Sequence, residues 1–337
     1  MTPAIFGLAG TTLTAAERDF FRDADPAGYI LFARNVADRA QLRALTDSLR
    51  AIHGRDRLLV SIDQEGGRVA RMKPPEWQAF PPGAAFARLW DIAPASAIEA
   101  ARANAQMLAL DLAEAGITVD YLPLLDVRRP GAHDVIGDRA LGTQPMQVAA
   151  LGRAVLDGLA RGGVTGCIKH MPGHGRAMAD SHKELPVVDA SQQELESDIA
   201  PFRTLADAPI GMTAHVRYTA WDGENPATLS PAIVETIIRG RIGFSGLLLT
   251  DDIDMQALDG TVPERAERAI AAGCDVVLNC WARMEDMQAI ATRLPPISAA
   301  AQGRLECALA PTGAISADRG ELLAVRDALL DPVRDIA

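Results

Sequence analysis

Short runs of apolar residues recur along the chain, and segments with a helical apolar period separate them. The runs have the length and composition of buried strands. The stripe of Leu42, Leu45, Leu49 and Ile52 is one example of the helical period. We therefore predict eight strands, which are Pro3–Gly10, Gly28–Arg34, Leu58–Ile62, Ile117–Val127, Gly163–Ile168, Ile210–Val216, Gly246–Thr250 and Asp275–Cys280.

Polar capping residues mark several helix starts. Thr14 and Ser191 each stand three positions before a Glu, which is the capping-box pattern, and Asp38 can cap the helix after it. The segment over residues 69–94, which contains Pro and Trp, is predicted as a loop. Further helices are predicted over about Ala95–Ala115, Pro145–Arg161, Pro231–Arg239 and Glu264–Ala272.

Eight strands that alternate with helices predict an α/β fold, a single-domain (β/α)8 TIM barrel. Near-continuous apolar runs suit parallel strands that are buried on both faces. We expect residues 1–337 to form one catalytic domain, with the barrel core at about 3–285 and C-terminal helices after it. Polar clusters follow strands three to seven, at the end where such barrels build their active sites.

Composition narrows the choice of partners. The chain has 33 basic and 44 acidic residues, and its net charge of −11 argues against nucleic acid or an anionic membrane as the main partner. No apolar run is long enough to span a membrane, and no secretory signal is predicted, so we expect a cytoplasmic protein. The four Cys are scattered along the chain, and we interpret them as reduced core residues. We expect no cofactor and no metal, and we favour a monomer.

Titratable residues are concentrated after the fifth predicted strand. There KHMPGHG (Lys169–Gly175) is followed by DSH (Asp180–His182), so half of the six His lie between positions 170 and 182. The segment has no apolar period and is predicted to be a loop. Loops on a rigid scaffold often carry catalytic groups.

Two functional interpretations of this loop compete with a polar loop whose His are incidental. His170 and His174 have the spacing of two metal ligands on a helix, but Pro172 and Gly173 between them disfavour a helix. Alternatively, Asp180 and His182 lie on one side of an extended segment. A carboxylate beside an imidazole suits a general acid/base, and we favour this interpretation.

Three aspartates follow the seventh strand. We expect Asp251, the first of them, at the barrel mouth, with Asp252 and Asp254 as capping or supporting groups. Sugar hydrolysis needs an acid/base and, in a retaining enzyme, a carboxylate nucleophile, and His182 and Asp251 could fill these roles. A mixed ring of donors and acceptors suits a neutral saccharide better than a phosphate, and its predicted members are Asp63, Arg71, Arg139, Lys169 and His170.

Ordered motifs in the chain resemble glycoside hydrolase family 3. Within that family, the chain is most similar to bacterial cytoplasmic β-N-acetylglucosaminidases (β-N-acetylhexosaminidases) of peptidoglycan recycling. The resemblance runs from about residue 7 to residue 280. The motifs are IDQEGGRVAR (Ile62–Arg71), VIGDRALG (Val135–Gly142), IKHMPGHG with DSH, MTAHV, PATLS and LLTDDIDM.

The resemblance implies a residue-level mechanism. Asp251 would be the nucleophile that forms a glycosyl-enzyme, and His182 would be the acid/base with Asp180 as its partner. The implied substrate is GlcNAc β-1,4-linked to anhydro-muramic acid, with or without peptide, and no cofactor is implied. The residues implied to hold GlcNAc in the −1 subsite are Asp63, Arg71, Arg139, Lys169 and His170.

Some residues depart from the family pattern or have no implied role. Arg176 stands where an acidic residue is common, and we expect it to affect the loop's motion or the preference for an anionic aglycone. The run Arg139–Gly142 (RALG) stands where the family has an RSFG-like sequence. Glu65 is a backup acid/base, although we expect it to brace Gly66 and Gly67 or to pair with Arg68. The remaining His174 and His215 are interpreted as structural or supporting residues.

Two other functions are alternatives. The first is a barrel that binds sugar without cleaving it, although a binding protein would not need Asp251, Asp180 and His182 together. The second is a metal-dependent hydrolase that uses the loop with His170, His174 and His182. Insensitivity to a chelator would exclude the second.

Overall fold

Parallel strands that close on themselves form the centre of the protein. The structure, a computed structural model, describes residues 1–311, 313–314 and 316–334. Within these residues, eight parallel strands pair in the closed order β1-β2-β3-β4-β5-β7-β9-β10, while β6 and β8 form a separate parallel pair. In chain order the strands are β1 (Thr2–Gly7), β2 (Pro26–Leu31), β3 (Leu59–Ile62), β4 (Val119–Asp120), β5 (Thr165–Met171), β6 (Val187–Val188), β7 (Ile210–Thr213), β8 (Arg217–Tyr218), β9 (Leu247–Asp252) and β10 (Val276–Asn279).

Helices connect the strands and surround the barrel. They include a π-helix, Ile233–Ile242, before β9. The α-helices are α1 (Ala15–Ala24), α2 (Arg39–His53), α3 (Gly83–Ile92), α4 (Pro94–Glu114), α5 (Pro145–Arg161), α6 (Gln192–Thr204), α7 (Val262–Ala272), α8 (Met284–Arg293), α9 (Ala299–Ala308) and α10 (Arg319–Leu330). The TIM-barrel prediction is confirmed.

The predicted helix caps are present. The Thr14 and Ser191 side chains accept hydrogen bonds from the amides of Glu17 and Glu194, and both capping boxes are complete. Asp38 accepts from the amide of Gln41 at the start of α2. Each cap satisfies an amide that has no intrahelical partner, so the local sequence fixes where these helices begin.

Alternate strand residues pack into two separate apolar clusters. Ile5 belongs to the cluster inside the barrel, whereas its neighbours Ala4 and Phe6 face the helices. Leu305 and Ala308 of α9 join the inner cluster, and the Ala308 carbonyl accepts a hydrogen bond from Thr165 at the start of β5. Helix α9 covers the N-terminal ends of the strands. The C-terminal ends therefore form the open side of the barrel, where polar groups can lie.

Several predicted boundaries are wrong in ways that affect the site. β5 continues to Met171, so Lys169 and His170 belong to a strand, and Asp251 lies within β9 and not after it. β4 contains just Val119 and Asp120. Helix α3 lies in the segment predicted as a loop, where Pro82 precedes it without a side-chain cap.

Helix α3 packs against Arg139, one of the predicted site residues. Gly83, its first residue, packs so closely on Arg139 that an added Cβ would lie 2.3 Å from the Arg139 carbonyl oxygen. A residue with a side chain would therefore displace Arg139 or the helix.

The cysteine and membrane predictions have different outcomes. Cys167, Cys274 and Cys280 are buried and free, as expected of core residues, but Cys307 is exposed. Among the described residues, no helix has the length and apolar character needed to cross a membrane.

Candidate active site

A cavity of about 480 Å³ opens at the C-terminal ends of the strands. All eight site residues that were predicted from the sequence line it. They come from four separate segments of the chain, which are the segment after β3, the loop after β4, β5 with its loop, and β9, so the fold brings them together. The residues are Asp63, Arg71, Arg139, Lys169, His170, Asp180, His182 and Asp251.

Asp251 presents an ionised carboxylate to the cavity. Its Oδ1 accepts a hydrogen bond from the amide of Asp252 at 2.8 Å. Burial favours the neutral acid, but the imidazoles of His170 and His215, the Asp252 amide and the Lys169 ammonium outweigh it. Together they lower the pKa of Asp251 to about 2. At neutral pH this group is therefore a carboxylate that can act as a nucleophile and has no proton to donate.

The other two aspartates of this segment bind the backbone. Asp252 accepts from the amides of Asp254 and Cys280 at 3.1 and 3.2 Å. Asp254 accepts from the Asn279 side chain and from the amides of Cys280 and Trp281 at 2.9–3.1 Å. These contacts hold the end of β9 against the end of β10, and burial together with Asp254 raises the pKa of Asp252 well above its usual value.

Buried opposite charges form the floor of the cavity beside β3 and β5. The Lys169 ammonium lies 2.9 Å from Asp63 Oδ1 and 2.7 Å from Glu65 Oε1, and just 2% of its side chain is exposed. Arg139 donates two hydrogen bonds to the two Glu65 oxygens, at 2.8 and 2.7 Å. Arg71 approaches the other Asp63 oxygen at 3.3 Å.

Glu65 is held in its ionised form. Burial alone would favour the neutral acid, but Arg139 and Lys169 lower the pKa of Glu65 far below its ordinary value. A carboxylate that binds two cations has no proton to donate, which argues against the backup acid/base role. The expected Arg68 contact is wrong, because Arg68 pairs with Asp138 at 2.9 Å.

Asp126 is a site residue that the sequence reasoning missed. It is fully buried, and its Oδ2 accepts from His170 Nδ1 at 2.7 Å. Its Oδ1 accepts from the amides of His170 and His174 at 3.2 and 2.6 Å. Since His170 uses Nδ1 for Asp126, Nε2 is the ring nitrogen available to a ligand in the cavity.

Asp180 and His182 form a pair on the loop after β5. His182 Nδ1 donates to Asp180 Oδ1 at 2.8 Å, and its amide donates to the same oxygen at 3.0 Å. The His182 side chain is 64% exposed, whereas Asp180 is mostly buried. Since Nδ1 contacts Asp180, Nε2 is the atom that can exchange a proton with a ligand. The Ser181 carbonyl accepts from the Ala257 amide at 3.2 Å, which links this loop to the one after β9.

The two remaining candidate histidines are buried. His215 contacts the Thr228 hydroxyl at 2.7 Å and the Asp252 carbonyl at 2.9 Å, as a supporting residue would. His174 lines the cavity, and burial and the neighbouring His170 lower its pKa to about 4, so it is neutral at pH 7.

Among the described residues, the metal-dependent alternative finds no donor cluster. Within the part of the chain that the structure describes, no group of three or more His, Cys, Asp or Glu could hold a metal ion. His170 and His174 have ring centroids 5.7 Å apart, but His170 is bound to Asp126. The arrangement instead offers an ionised carboxylate and an exposed imidazole in one cavity.

Comparisons with known proteins agree on one family. A model of the glycosyl hydrolase family 3 N-terminal domain matches residues 8–302. The beta-hexosaminidase of Bordetella avium is 40% identical over 283 residues, which are 82% of this chain and 80% of that protein. That of Chromobacterium violaceum is 40% identical over 309 residues, 90% of this chain and 85% of that protein.

A solved structure extends the similarity to the whole fold. NagZ from Neisseria gonorrhoeae, in complex with N-trifluoroacetyl-D-glucosamine, matches with a TM-score of 0.85 and 33% identity. The match covers 98% of this chain and 96% of that chain. By sequence and by fold, this chain belongs to glycosyl hydrolase family 3.

Proposed function

We propose that the chain is a retaining β-N-acetylglucosaminidase (a β-N-acetylhexosaminidase) that releases terminal GlcNAc from β-linked saccharides. The observation that carries the proposal is the presence of the ionised Asp251 and the Asp180–His182 pair in one cavity. A retaining glycosidase needs a nucleophile and an acid/base that act on the same bond. The relatives described above support the choice of sugar, since they are named beta-hexosaminidases.

In the first step the Asp251 carboxylate attacks the anomeric carbon of GlcNAc. The bond to the leaving oxygen breaks as His182 Nε2 transfers its proton to that oxygen. Asp180, which accepts from Nδ1, orients the ring and stabilises its protonated form.

In the second step the same imidazole acts as a base. It takes a proton from water, whose oxygen attacks the anomeric carbon and breaks the ester bond to Asp251. Two inversions at one carbon give net retention of the β configuration.

The charged floor of the cavity would bind the GlcNAc ring. Lys169 contacts Asp63 and Glu65, which leaves its ammonium one further hydrogen to donate. His170 Nε2 and the oxygens of Asp63 add groups that can bind hydroxyls, and Arg71 and Arg139 lie beside them. Hydroxyl and acetamido groups complement such a mixed set better than an anion does.

The natural substrate that we propose is GlcNAc β-1,4-linked to anhydro-muramic acid, with or without attached peptide, in cell-wall recycling. The proposal rests on the motif resemblance and on the similarity to NagZ. We further propose that residues 1–337 act as one catalytic domain, as a cytoplasmic monomer.

The preference for the acetamido sugar is a direct test of the proposed function. The enzyme should cleave a chromogenic β-N-acetylglucosaminide at least about a hundredfold more efficiently than the matching β-glucoside, because the glucoside leaves the groups that bind the acetamide unpaired. The measurement compares kcat/KM for the two substrates. Comparable values would contradict the proposal.

Replacement of the nucleophile should remove almost all turnover. Asp251→Ala should lower kcat by a factor on the order of 10⁴. A slow fluorinated sugar substrate should label Asp251 covalently, and peptide mapping would locate the label. Asp254→Asn is the control, because Asp254 contacts backbone amides at the end of β10 and should still allow labelling of Asp251. A label on another carboxylate would overturn the assignment.

Replacement of the acid/base should affect substrates according to their leaving groups. His182→Ala should slow glycosides of poor leaving groups by about 10²-fold or more, while nitrophenyl glycosides, whose leaving group departs unprotonated, suffer less in the glycosylation step. Asp180→Ala should have a smaller effect of the same kind.

The matched control is Lys183→Ala, because Lys183 is an exposed neighbour 3.8 Å from Asp180. This variant should retain the wild-type dependence on the leaving group. Equal losses of kcat/KM, which reports the steps through glycosylation, on good and poor leaving groups in His182→Ala would show that His182 is not the acid.

A further inference from the structure

A buried carboxylate on α6 joins two loops at the barrel mouth. Asp198 is 2% exposed, and each of its oxygens binds an arginine. Its Oδ1 accepts from Arg129 at 2.8 Å, and its Oδ2 accepts from Arg176 Nε at 2.5 Å. Arg129 belongs to the loop after β4, and Arg176 belongs to the loop that carries Asp180 and His182. A buried charge between two cations forms charge-assisted hydrogen bonds, which are stronger than neutral ones.

Arg176 lies outside the cavity. It is absent from the residues that line the cavity, and its second contact is a hydrogen bond from Nη2 to the Glu194 carbonyl at 3.1 Å. Both contacts therefore join the loop to α6. The expected effect of Arg176 on an anionic aglycone finds no support in this position, because the guanidinium faces the helix.

The loop after β5 has a tightly packed stem and an exposed tip. We define the stem as residues 172–177 and the tip as residues 178–185. In the stem, the Gly173 carbonyl accepts from the buried Tyr218 hydroxyl at 2.8 Å. An added Cβ on Gly175 would lie 2.0 Å from the Val127 carbonyl oxygen. In the tip, Met178 and His182 are largely exposed, whereas Ser181 is buried and its carbonyl binds the Ala257 amide. The end of the stem sets where the tip begins.

We propose that Arg176 is a positioning residue for the acid/base His182, and that it acts by fixing the end of the stem to Asp198. This inference rests on the proposed function. Arg176 is the residue of the stem whose side chain binds α6, and three residues separate it from Asp180. The imidazole must lie within hydrogen-bond reach of the leaving oxygen, so a stem that is free to shift would lower the fraction of productive His182 positions.

The chain offers a matched pair of variants. Arg176→Ala removes the stem contact but leaves Asp198 paired with Arg129. The buried carboxylate therefore keeps one cation in this variant. Arg129→Ala removes the other cation of the same carboxylate and leaves the Arg176 contact in place. The Arg129 amide, which donates to the Gly175 carbonyl, is retained in that variant. Arg176→Lys keeps the positive charge beside Asp198.

The kinetic test compares chromogenic β-N-acetylglucosaminides that have good and poor leaving groups. In Arg176→Ala, kcat/KM, which reports the steps through glycosylation, should fall about tenfold for the poor leaving group, with a much smaller change for the good one. Arg129→Ala should keep the wild-type ratio, and Arg176→Lys should recover most of it. An equal loss on both substrates, or an equal change in Arg129→Ala, would overturn the proposal.

Hydrogen exchange tests the contact independently of activity. Amides over residues 177–185 should exchange about tenfold faster in Arg176→Ala than in the wild type or Arg129→Ala, because the stem has lost its side-chain contacts with α6. Unchanged exchange in that segment would overturn the proposal even if activity falls. If the wild type cleaves no β-N-acetylglucosaminide, the proposed function fails, while exchange still decides the role of Arg176 in the loop.

Discussion

The buried ammonium of Lys169 is the constraint on which the site depends. A charge with 2% of its side chain exposed is tolerated when carboxylates surround it, and Asp63 and Glu65 supply them from the turn after β3. Glu65 in turn binds Arg139 from the loop after β4. One buried cation on β5 therefore connects this strand with the segment after β3 and, through Glu65, with the loop after β4. Removal of Glu65 would leave the buried Arg139 without a carboxylate partner, so the charges in the floor of the cavity depend on one another.

The proposed nucleophile and the proposed acid/base lie in different surroundings. Asp251 lies at the end of a barrel strand, where imidazoles, an amide and the Lys169 charge keep it ionised. The proposed acid/base is placed differently, on an exposed loop, because the same imidazole has to reach a leaving group and later a water molecule. A buried nucleophile and a loop-borne proton carrier are thus consistent with the proposed two-step reaction. The contact between Arg176 and Asp198 would limit the movement of the loop that carries His182.

Local signals account for what the sequence predicts well. Apolar runs bounded by turn residues give the eight barrel strands, and polar caps such as Thr14 give the helix starts. The strand ends then locate the cavity, because α9 closes the opposite end of the barrel. Together with the family motifs, this places all eight predicted site residues in one cavity.

The features that were missed depend on contacts distant in sequence. Asp126 ends an apolar run, and its partners His170 and His174 lie more than forty positions further along the chain. Asp198 was missed for the same reason, because its partners Arg129 and Arg176 are distant from it in the sequence. The contacts of Asp126 and Asp198 require the folded chain, since no local pattern encodes them. Helix α3 was missed for a local reason, because Pro82 gives no polar cap and the preceding residues are typical of a loop.

The stereochemistry of the first product tests the central claim most directly. Proton NMR can follow the anomeric signal of GlcNAc released from a β-N-acetylglucosaminide before mutarotation mixes the anomers. Attack by Asp251 followed by water predicts that the β-anomer forms first. First formation of the α-anomer would show direct attack by water, and it would contradict the assignment of Asp251 as a nucleophile.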